Sequence, residues 1–166
     1  MATFADDEDI DFEELWGSGG GGVDVDGKII KVEGRRADAT TEFGDEVWPG
    51  AAALAQALAP GGVFGGAVCG KRVLELGAGL GLVGLALARR PGFQVTLSDG
   101  DARVCANLRY NAALNDLDED VVRQFRWEEA FDELWNEEGP FDVVLAADCL
   151  YAPALAPPFE AGVARA

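Results

Sequence analysis

The segment "VLELGAGLGLVG", Val73 to Gly84, constrains the fold more than any other part of this sequence. It joins an apolar run typical of a β-strand to an apolar segment typical of a helix, through a turn with glycine at alternate positions. Glycine adopts backbone angles that other residues resist, and it lets a ligand approach the main chain closely. A tight turn alone explains one or two of these glycines but not three that follow an acid. We therefore predict a ligand-binding strand–turn–helix unit.

Two nucleotide-binding patterns overlap in this turn. From Gly79 the spacing is G-x-G-x-x-G, the dinucleotide fingerprint, whereas from Glu75 it is E-x-G-x-G-x-G. The Glu75 carboxylate would lie near a dinucleotide's pyrophosphate with no evident cation to compensate it, whereas a methyl donor with sulfonium and ammonium groups tolerates acids there. The negative charge of Glu75 therefore favours S-adenosylmethionine over a dinucleotide. An NAD-dependent oxidoreductase built on Gly79, Gly81 and Gly84 is the alternative.

The composition excludes several classes of function. The formal net charge is −17, from 30 acidic and 13 basic residues, so nucleic acid and acidic membrane surfaces are unfavourable partners. The chain contains no histidine, which excludes His-based triads and His metal ligands, and no metal site is predicted. Three widely spaced cysteines indicate reduced thiols and a cytoplasmic or nuclear location. No apolar run reaches the roughly 18 residues that span a bilayer.

The pattern along the chain predicts one folded domain. Residues 1–22 combine acids with a glycine run, which is typical of a disordered tail, and the domain is predicted over residues 23–166. The Asp26–Gly27 dipeptide predicts a hairpin over residues 23–32. An early proline and helically spaced apolar residues predict a helix over residues 49–59.

From residue 71 onward, short apolar runs alternate with amphipathic segments, as in βαβ units around a parallel sheet. The predicted fold is α/β, a Rossmann-like doubly wound sheet. Strands are predicted over residues 72–76, 94–98, 121–126 and 141–147, and helices over residues 81–90, 102–114 and 128–135. The run "FDVVLAA" lacks polar alternation, so its strand is predicted to be buried on both faces inside the sheet.

The ends of the predicted strands supply the candidate site residues, because ligands of open α/β sheets bind at the carboxyl ends of the strands. The second strand is followed by Asp99, 20 residues after Gly79, where a carboxylate can accept both ribose hydroxyl groups. Both cofactor classes carry an adenosine ribose, so Asp99 does not distinguish them. Asp148 directly follows the last strand, and a carboxylate placed there normally meets a partner.

Several separate segments together resemble the seven-β-strand protein-lysine methyltransferases of the methyltransferase-like family. In chain order they are "VWPGAAALAQAL", "GKRVLELGAGLGLVGLALA", "VTLSD", "FRW" and "FDVVLAADCLY". The resemblance covers residues 38–151, and a series of spaced motifs is far more specific than a glycine loop alone. The closing D-x-x-Y motif, Asp148 to Tyr151, separates this family from general small-molecule methyltransferases.

The resemblance implies S-adenosylmethionine as the cofactor, a lysine-bearing protein as the substrate, and a role for each matching residue. The implied cofactor-binding residues are Trp48, Glu75, Gly77, Ala78, Gly79, Asp99, Trp127 and Ala147. The implied catalytic residues, which would line the channel for the target amine, are Asp148 and Tyr151. Ordinary core packing explains Trp48 and Trp127 equally well from the sequence alone.

The resembling enzymes continue beyond the D-x-x-Y motif into the C-terminal strands of that fold, which are missing from this sequence. We therefore expect the cofactor half of the fold, with slow turnover by the isolated chain. The outer edge of the strand over residues 141–147 would be open to a partner strand. A non-catalytic interaction module that binds another protein through this edge is the alternative.

Overall fold

A two-stranded hairpin opens the described part of the chain. The computed structural model describes residues 22–34, 44, 46–127 and 131–163, so the tail predicted over residues 1–22 lies outside the described residues apart from Gly22. Strands β1 (Val23–Val25) and β2 (Lys28–Ile30) pair antiparallel around Asp26 and Gly27. The φ angles of these two residues are +54° and +74°, as a two-residue turn of this kind requires.

The remaining elements alternate between strand and helix, as the apolar pattern predicts. The helices are α1 (Pro49–Leu58), α2 (Leu82–Ala88), α3 (Ala102–Leu114), α4 (Phe131–Glu138) and α5 (Ala156–Val163). The strands are β3 (Arg72–Leu76), β4 (Gln94–Asp99), β5 (Val122–Gln124) and β6 (Val143–Ala146). No helix in the described ranges is both long enough and apolar enough to cross a membrane.

The four later strands form one parallel sheet in the order β5-β4-β3-β6. The chain moves outward from β3 through β4 to β5 and then crosses back, so that β6 pairs with the other side of β3. The strand order therefore reverses at β3, and in sheets of this kind the reversal opens a crevice at the carboxyl ends of the strands.

Helices cover both faces of the sheet. Val73 and Leu97 face one apolar cluster, to which α1, α2 and α3 contribute Leu58, Leu85 and Leu108. On the opposite face, a smaller cluster contains Leu74, Leu76, Phe125, Leu134 and Phe141. The structure thus confirms the α/β class with a parallel central sheet.

The last strand lies at an edge of the sheet, which corrects its predicted position inside the sheet and agrees with the open outer edge predicted for residues 141–147. Val143 packs against the larger cluster and Val144 against the smaller one, so both faces of β6 are covered, as the unbroken apolar run predicts. Within the described residues, however, β6 pairs with β3 alone. An apolar run predicts that both faces of a strand are buried, but it does not predict whether the strand pairs with a neighbour at each edge. A partner strand at this edge stays a prediction.

Three asparagines at four-residue spacing, two on α3 and one at its C-cap, bind the extended segment that follows β2. Asn115 accepts the Lys31 N–H at 3.0 Å and donates to the Lys31 carbonyl at 2.6 Å. Asn111 accepts the Glu33 N–H at 3.1 Å, and Asn107 donates to the Glu33 carbonyl at 2.9 Å. The amide side chains thus replace a neighbouring strand for this segment, and they attach the hairpin to the domain.

Candidate active site

The carboxyl ends of β3, β4 and β6 open onto a cavity of about 1250 Å³. All of the site residues predicted from the sequence line this cavity: Trp48, Glu75, Gly77, Ala78, Gly79, Asp99, Trp127, Ala147, Asp148 and Tyr151. They come from three strand ends, from the residue before α1 and from the loop after β5. The cavity lies where the strand order reverses, which is the expected ligand position in an open α/β sheet.

The turn after β3 has the geometry of a main-chain cradle. Gly77 and Gly79 have φ angles of +64° and +55°, which side chains make unfavourable. A Cβ atom added to Gly77 would lie 2.7 Å from Cβ of Cys149, whereas one added to Gly79 would meet nothing within 4 Å. Gly77 is therefore required for packing, and Gly79 leaves its main chain open to a ligand.

The next two glycines of the motif serve the turn and the packing of α2 against the sheet. Gly81 is the N-cap of α2 and has a φ angle of +86°. Gly84 lies directly over β4, because a Cβ atom there would approach Cδ2 of Leu97 to 2.7 Å. Neither glycine is free to take a side chain, so their spacing reflects the close contact of α2 with the sheet.

Glu75 is buried beneath α2, with 3% of its surface exposed. Its Oε2 accepts the Gly84 N–H at 2.8 Å. Burial raises the pKa of this carboxyl to about 8, with a smaller contribution from Asp99 and against the opposing effect of the Gly84 hydrogen bond. The group is therefore largely protonated at neutral pH, and its repulsion of a pyrophosphate is weaker than the sequence suggested. The choice between the two cofactor classes rests on the other residues of the site.

Asp99 connects the end of β4 to the glycine turn. Its Oδ2 accepts the Gly79 N–H at 3.2 Å, and its Oδ1 accepts the Asp101 N–H at 3.0 Å. Burial raises the pKa of this carboxyl, and the same two backbone hydrogen bonds oppose the rise. A carboxylate oxygen has two acceptor positions, so each oxygen can also accept a ligand hydroxyl group. This arrangement fits a ribose held beside the glycine cradle.

Trp48 and Asp148 both line the cavity although they are distant in the sequence. Trp48 is the N-cap of α1, and 40% of its surface is exposed. Asp148 follows β6 and accepts the Gly50 N–H at 2.6 Å. Tyr151 lies in the same loop as Asp148, with 61% of its surface exposed. The two candidate catalytic residues thus lie beside an exposed aromatic wall.

Trp127 forms the far wall of the cavity, close to the glycine turn. A Cβ atom added to Gly77 would lie 3.4 Å from the Trp127 ring. On its other side, the ring packs edge-on against Phe159 of α5, with centroids 5.2 Å apart and an interplanar angle of 67°. Trp127 is therefore half-buried by packing and at the same time lines the cavity, so the two roles considered for it are compatible.

The structure adds cavity residues that the sequence reading did not single out. Cys149 is buried against Gly77, and burial raises the pKa of its thiol. Leu155 and Phe159 line the cavity from the segment beyond the D-x-x-Y motif. Cys149 could have been found from its place inside that motif. The other two had no signal beyond apolar character, because nothing local connects residues 153–163 with the cavity.

Cysteines and carboxylates do not form a metal site in the part of the chain that the structure describes. No group of three or more potential ligands lies within reach of one ion among these residues. All three cysteines are free thiols, with Cys69 exposed and Cys105 and Cys149 buried. Glycines, acids and aromatic rings line this cavity and are the groups that can contact a ligand there.

A glycine turn between a parallel strand and a helix, an acid at the next strand end and a cavity at the order reversal are typical of α/β domains that bind nucleotides. A sequence model of one family, described as lysine methyltransferase, matches residues 26–165. The chain belongs to this lysine methyltransferase family.

Individual relatives agree with the family and differ in the amino acid they modify. The chain is 37% identical to a protein-lysine N-methyltransferase (EFM3) of Chaetomium thermophilum, over 69% of this chain and 35% of that protein. It is 35% identical to a protein N-lysine methyltransferase (METTL21A) of Danio rerio, over 63% of this chain and 47% of that protein. It is also 34% identical to a histone-arginine methyltransferase (METTL23) of Xenopus laevis, over 68% of this chain and 47% of that protein. The chain thus spans less than half the length of these relatives.

Proposed function

We propose that this chain binds S-adenosylmethionine and transfers its methyl group to a lysine side chain of a protein. The observation that carries the proposal is the convergence of the glycine cradle, Asp99 and the D-x-x-Y loop on one cavity, in a chain that a lysine methyltransferase family model matches over residues 26–165. An NAD-dependent oxidoreductase would need only the first two features, so the third favours methyl transfer.

The described residues fit the cofactor. The main chain of Gly77, Ala78 and Gly79 is open to the cavity and can hold the methionine part, while Asp99 is placed to accept the ribose hydroxyl groups. The half-buried ring of Trp127 provides an apolar wall for the adenine. When bound, the cofactor supplies an electrophilic methyl group on a positively charged sulfur.

The rest of the reaction depends on how the chain treats the acceptor amine. A free lysine has a pKa near 10.4, so about one molecule in 2,500 is neutral at pH 7, a deficit of roughly 4.6 kcal/mol. Enclosing the amine between Trp48 and Tyr151 at the cavity mouth lowers its pKa, because burial disfavours the charged form. Alignment of the neutral amine for in-line attack contributes about 7–11 kcal/mol. No histidine or other dedicated base is required.

The expected substrate is a lysine-containing basic segment of another protein. The chain carries a formal net charge of −17, so its field attracts basic segments and repels nucleic acid. Three thiols without a disulfide are consistent with the reducing cytoplasm or nucleus, which we propose as the location.

The experiment is transfer of a tritiated methyl group from S-adenosylmethionine into a protein extract, followed by hydrolysis and separation of the methylated amino acids. We expect labelled methyllysine with the unaltered chain and with Glu137→Gln, an exposed control on α4. Asp99→Ala should lower the label roughly tenfold or more because it removes the proposed ribose ligand. Label in methylarginine would instead assign the activity of the Xenopus relative, and cofactor binding without any label would favour the interaction-module alternative.

A further inference from the structure

Asp148, which lines the cavity, makes a hydrogen bond to the first turn of α1. It lies in the loop after β6 and accepts the N–H of Gly50, 98 residues earlier in the chain, at 2.6 Å. Gly50 is in the first turn of α1, directly after Trp48 and Pro49. The bond therefore joins the wall that carries Trp48 to the loop that carries Tyr151.

This bond replaces an N-cap that α1 otherwise lacks. The side chain at the N-cap position, Trp48, makes no capping hydrogen bond, and Pro49 has no N–H to satisfy. Gly50 is thus the first helical residue whose N–H needs an acceptor, and a carboxylate is favourable at the positive end of a helix. Because the Trp48 carbonyl accepts the N–H groups of Ala51 and Ala52, Trp48 moves with this first turn.

Both partners carry backbone features that the bond requires. Asp148 has a φ angle of +51°, in the left-handed region that few side chains favour. A Cβ atom on Gly50 would lie 2.5 Å and 2.7 Å from the two carboxylate oxygens of Asp148, so only glycine allows this approach. The close approach therefore requires glycine at position 50 and an oxygen acceptor on the side chain at position 148.

We propose that Asp148 is a positioning residue: by binding the Gly50 N–H, it holds α1 and Trp48 in place beside Tyr151, and it acts on the methyl transfer through Trp48. The expected effect of Asp148 on methyl transfer rests on the proposed function, whereas the positioning of Trp48 by Asp148 does not. A neutral oxygen at the same place can hold the helix nearly as well, whereas a proton acceptor needs the carboxylate. A positioning role and a proton-accepting role for Asp148 therefore predict different results for Asp148→Asn.

The test compares three variants with the unaltered chain: Asp148→Asn, Asp148→Ala and Gly50→Ala. Gly50→Ala displaces the carboxylate without altering Asp148, and it provides a second route if Asp148→Ala folds poorly. Gly66→Ala is the matched control, because a Cβ atom there meets nothing within 4 Å. Each protein is examined by the NMR signals of the backbone amide at position 50 and of the Trp48 indole, and by steady-state methyl transfer.

We expect the Trp48 indole signal to shift in Asp148→Ala and Gly50→Ala but to stay near its original position in Asp148→Asn and Gly66→Ala. The kcat should fall roughly 10- to 100-fold in the first two variants through misalignment. Asp148→Asn should stay within about fivefold, since a neutral acceptor gives a hydrogen bond about half as strong as a charged one. An unmoved Trp48 in both disrupted variants would overturn the proposal.

A general-base role for Asp148 would give a different kinetic result. It would lower the kcat of Asp148→Asn by about 100-fold or more with Trp48 in its original position, and this outcome would also overturn the proposal. The NMR signals require neither cofactor nor transfer. If the unaltered chain transfers no methyl group, the proposed function fails while the positioning of Trp48 by Asp148 is still tested.

Discussion

Among single residues, Glu75 carries the most unusual electrostatics. Its pKa is about 4.5 in an exposed setting and about 8 in the fold, because burial beneath α2 disfavours the charged form. Between these two pH values the unfolded chain has lost a proton that the folded chain retains, so this group makes the free energy of unfolding fall as the pH rises. Above the folded pKa its contribution no longer changes.

We expect Glu75→Gln to remove this decline, because glutamine can accept the Gly84 N–H and does not ionise. Chemical denaturation at several pH values between 4.5 and 8 should show the variant gaining stability over the unaltered chain as the pH rises. Glu137→Gln, at an exposed position on α4, should follow the unaltered chain throughout. Parallel curves for Glu75→Gln and the unaltered chain would show that Glu75 is not protonated in the fold.

Gly84 is the point at which α2 packs closely on Leu97 of β4. Alanine there would place a Cβ atom 2.7 Å from Cδ2 of Leu97 and would disturb the Glu75 hydrogen bond. Overpacking of this kind lowers the free energy of unfolding by about 1–3 kcal/mol. Thermal or urea unfolding measures the loss, with Gly66→Ala as the matched control. Equal stability of the two variants would show that α2 can move away from the sheet without penalty.

At the scale of elements, the asparagines of α3 carry the attachment of the hairpin. Asn111 is fully buried, and its amide binds the main chain at Glu33 and the Leu80 carbonyl. Asn111→Ala would remove the hydrogen bond to the buried Leu80 carbonyl and the acceptor of the Glu33 N–H, whereas Asn107 would still donate to the Glu33 carbonyl. A buried polar group left without its partner costs about 1–3 kcal/mol. Asn136→Ala, at an exposed position on α4, should change the free energy of unfolding by less than about 0.5 kcal/mol. A loss for Asn111→Ala no larger than that of this control would contradict the attachment.

Elements defined by local patterns could be predicted from the sequence, and contacts between distant residues could not. The strand over residues 72–76 and the helix over residues 102–114 have the predicted bounds, because apolar periodicity and flanking turns are local signals. The strand predicted over residues 121–126 is shorter, Val122–Gln124. The helix predicted over residues 128–135 is observed over Phe131–Glu138, and residues 128–130 lie outside the described part.

The candidate site shows the same division. Parallel strand ends meet at one edge, so Asp99, the glycine turn and Asp148 were expected together and do line one cavity. The Gly50–Asp148 bond spans 98 residues and the Asn111–Glu33 bond spans 78. No pattern in one sequence reports such pairs, because each partner has an ordinary local reason to be where it is.

For the whole molecule, the net charge predicts that binding of the proposed protein substrate depends on salt. A net charge of −17 attracts a basic protein segment over a distance that salt shortens, with a Debye length of about 10 Å at 0.1 M. We expect the KM for a basic protein substrate to rise several-fold between low and physiological salt. The KM for the cofactor, held within the cavity, should change much less. A salt-independent KM for the protein would contradict electrostatic recruitment.

Calorimetric titration of the chain shows whether the cavity at the carboxyl ends of β3, β4 and β6 binds S-adenosylmethionine, as we propose. We expect S-adenosylmethionine to bind saturably with one molecule per chain. Asp99→Ala should weaken this binding roughly tenfold or more because hydrogen bonds to a charged group are lost. Glu137→Gln should bind as the unaltered chain does, and NADH should not bind. Absence of S-adenosylmethionine binding, or binding that Asp99→Ala leaves unchanged, would contradict the proposed cofactor site.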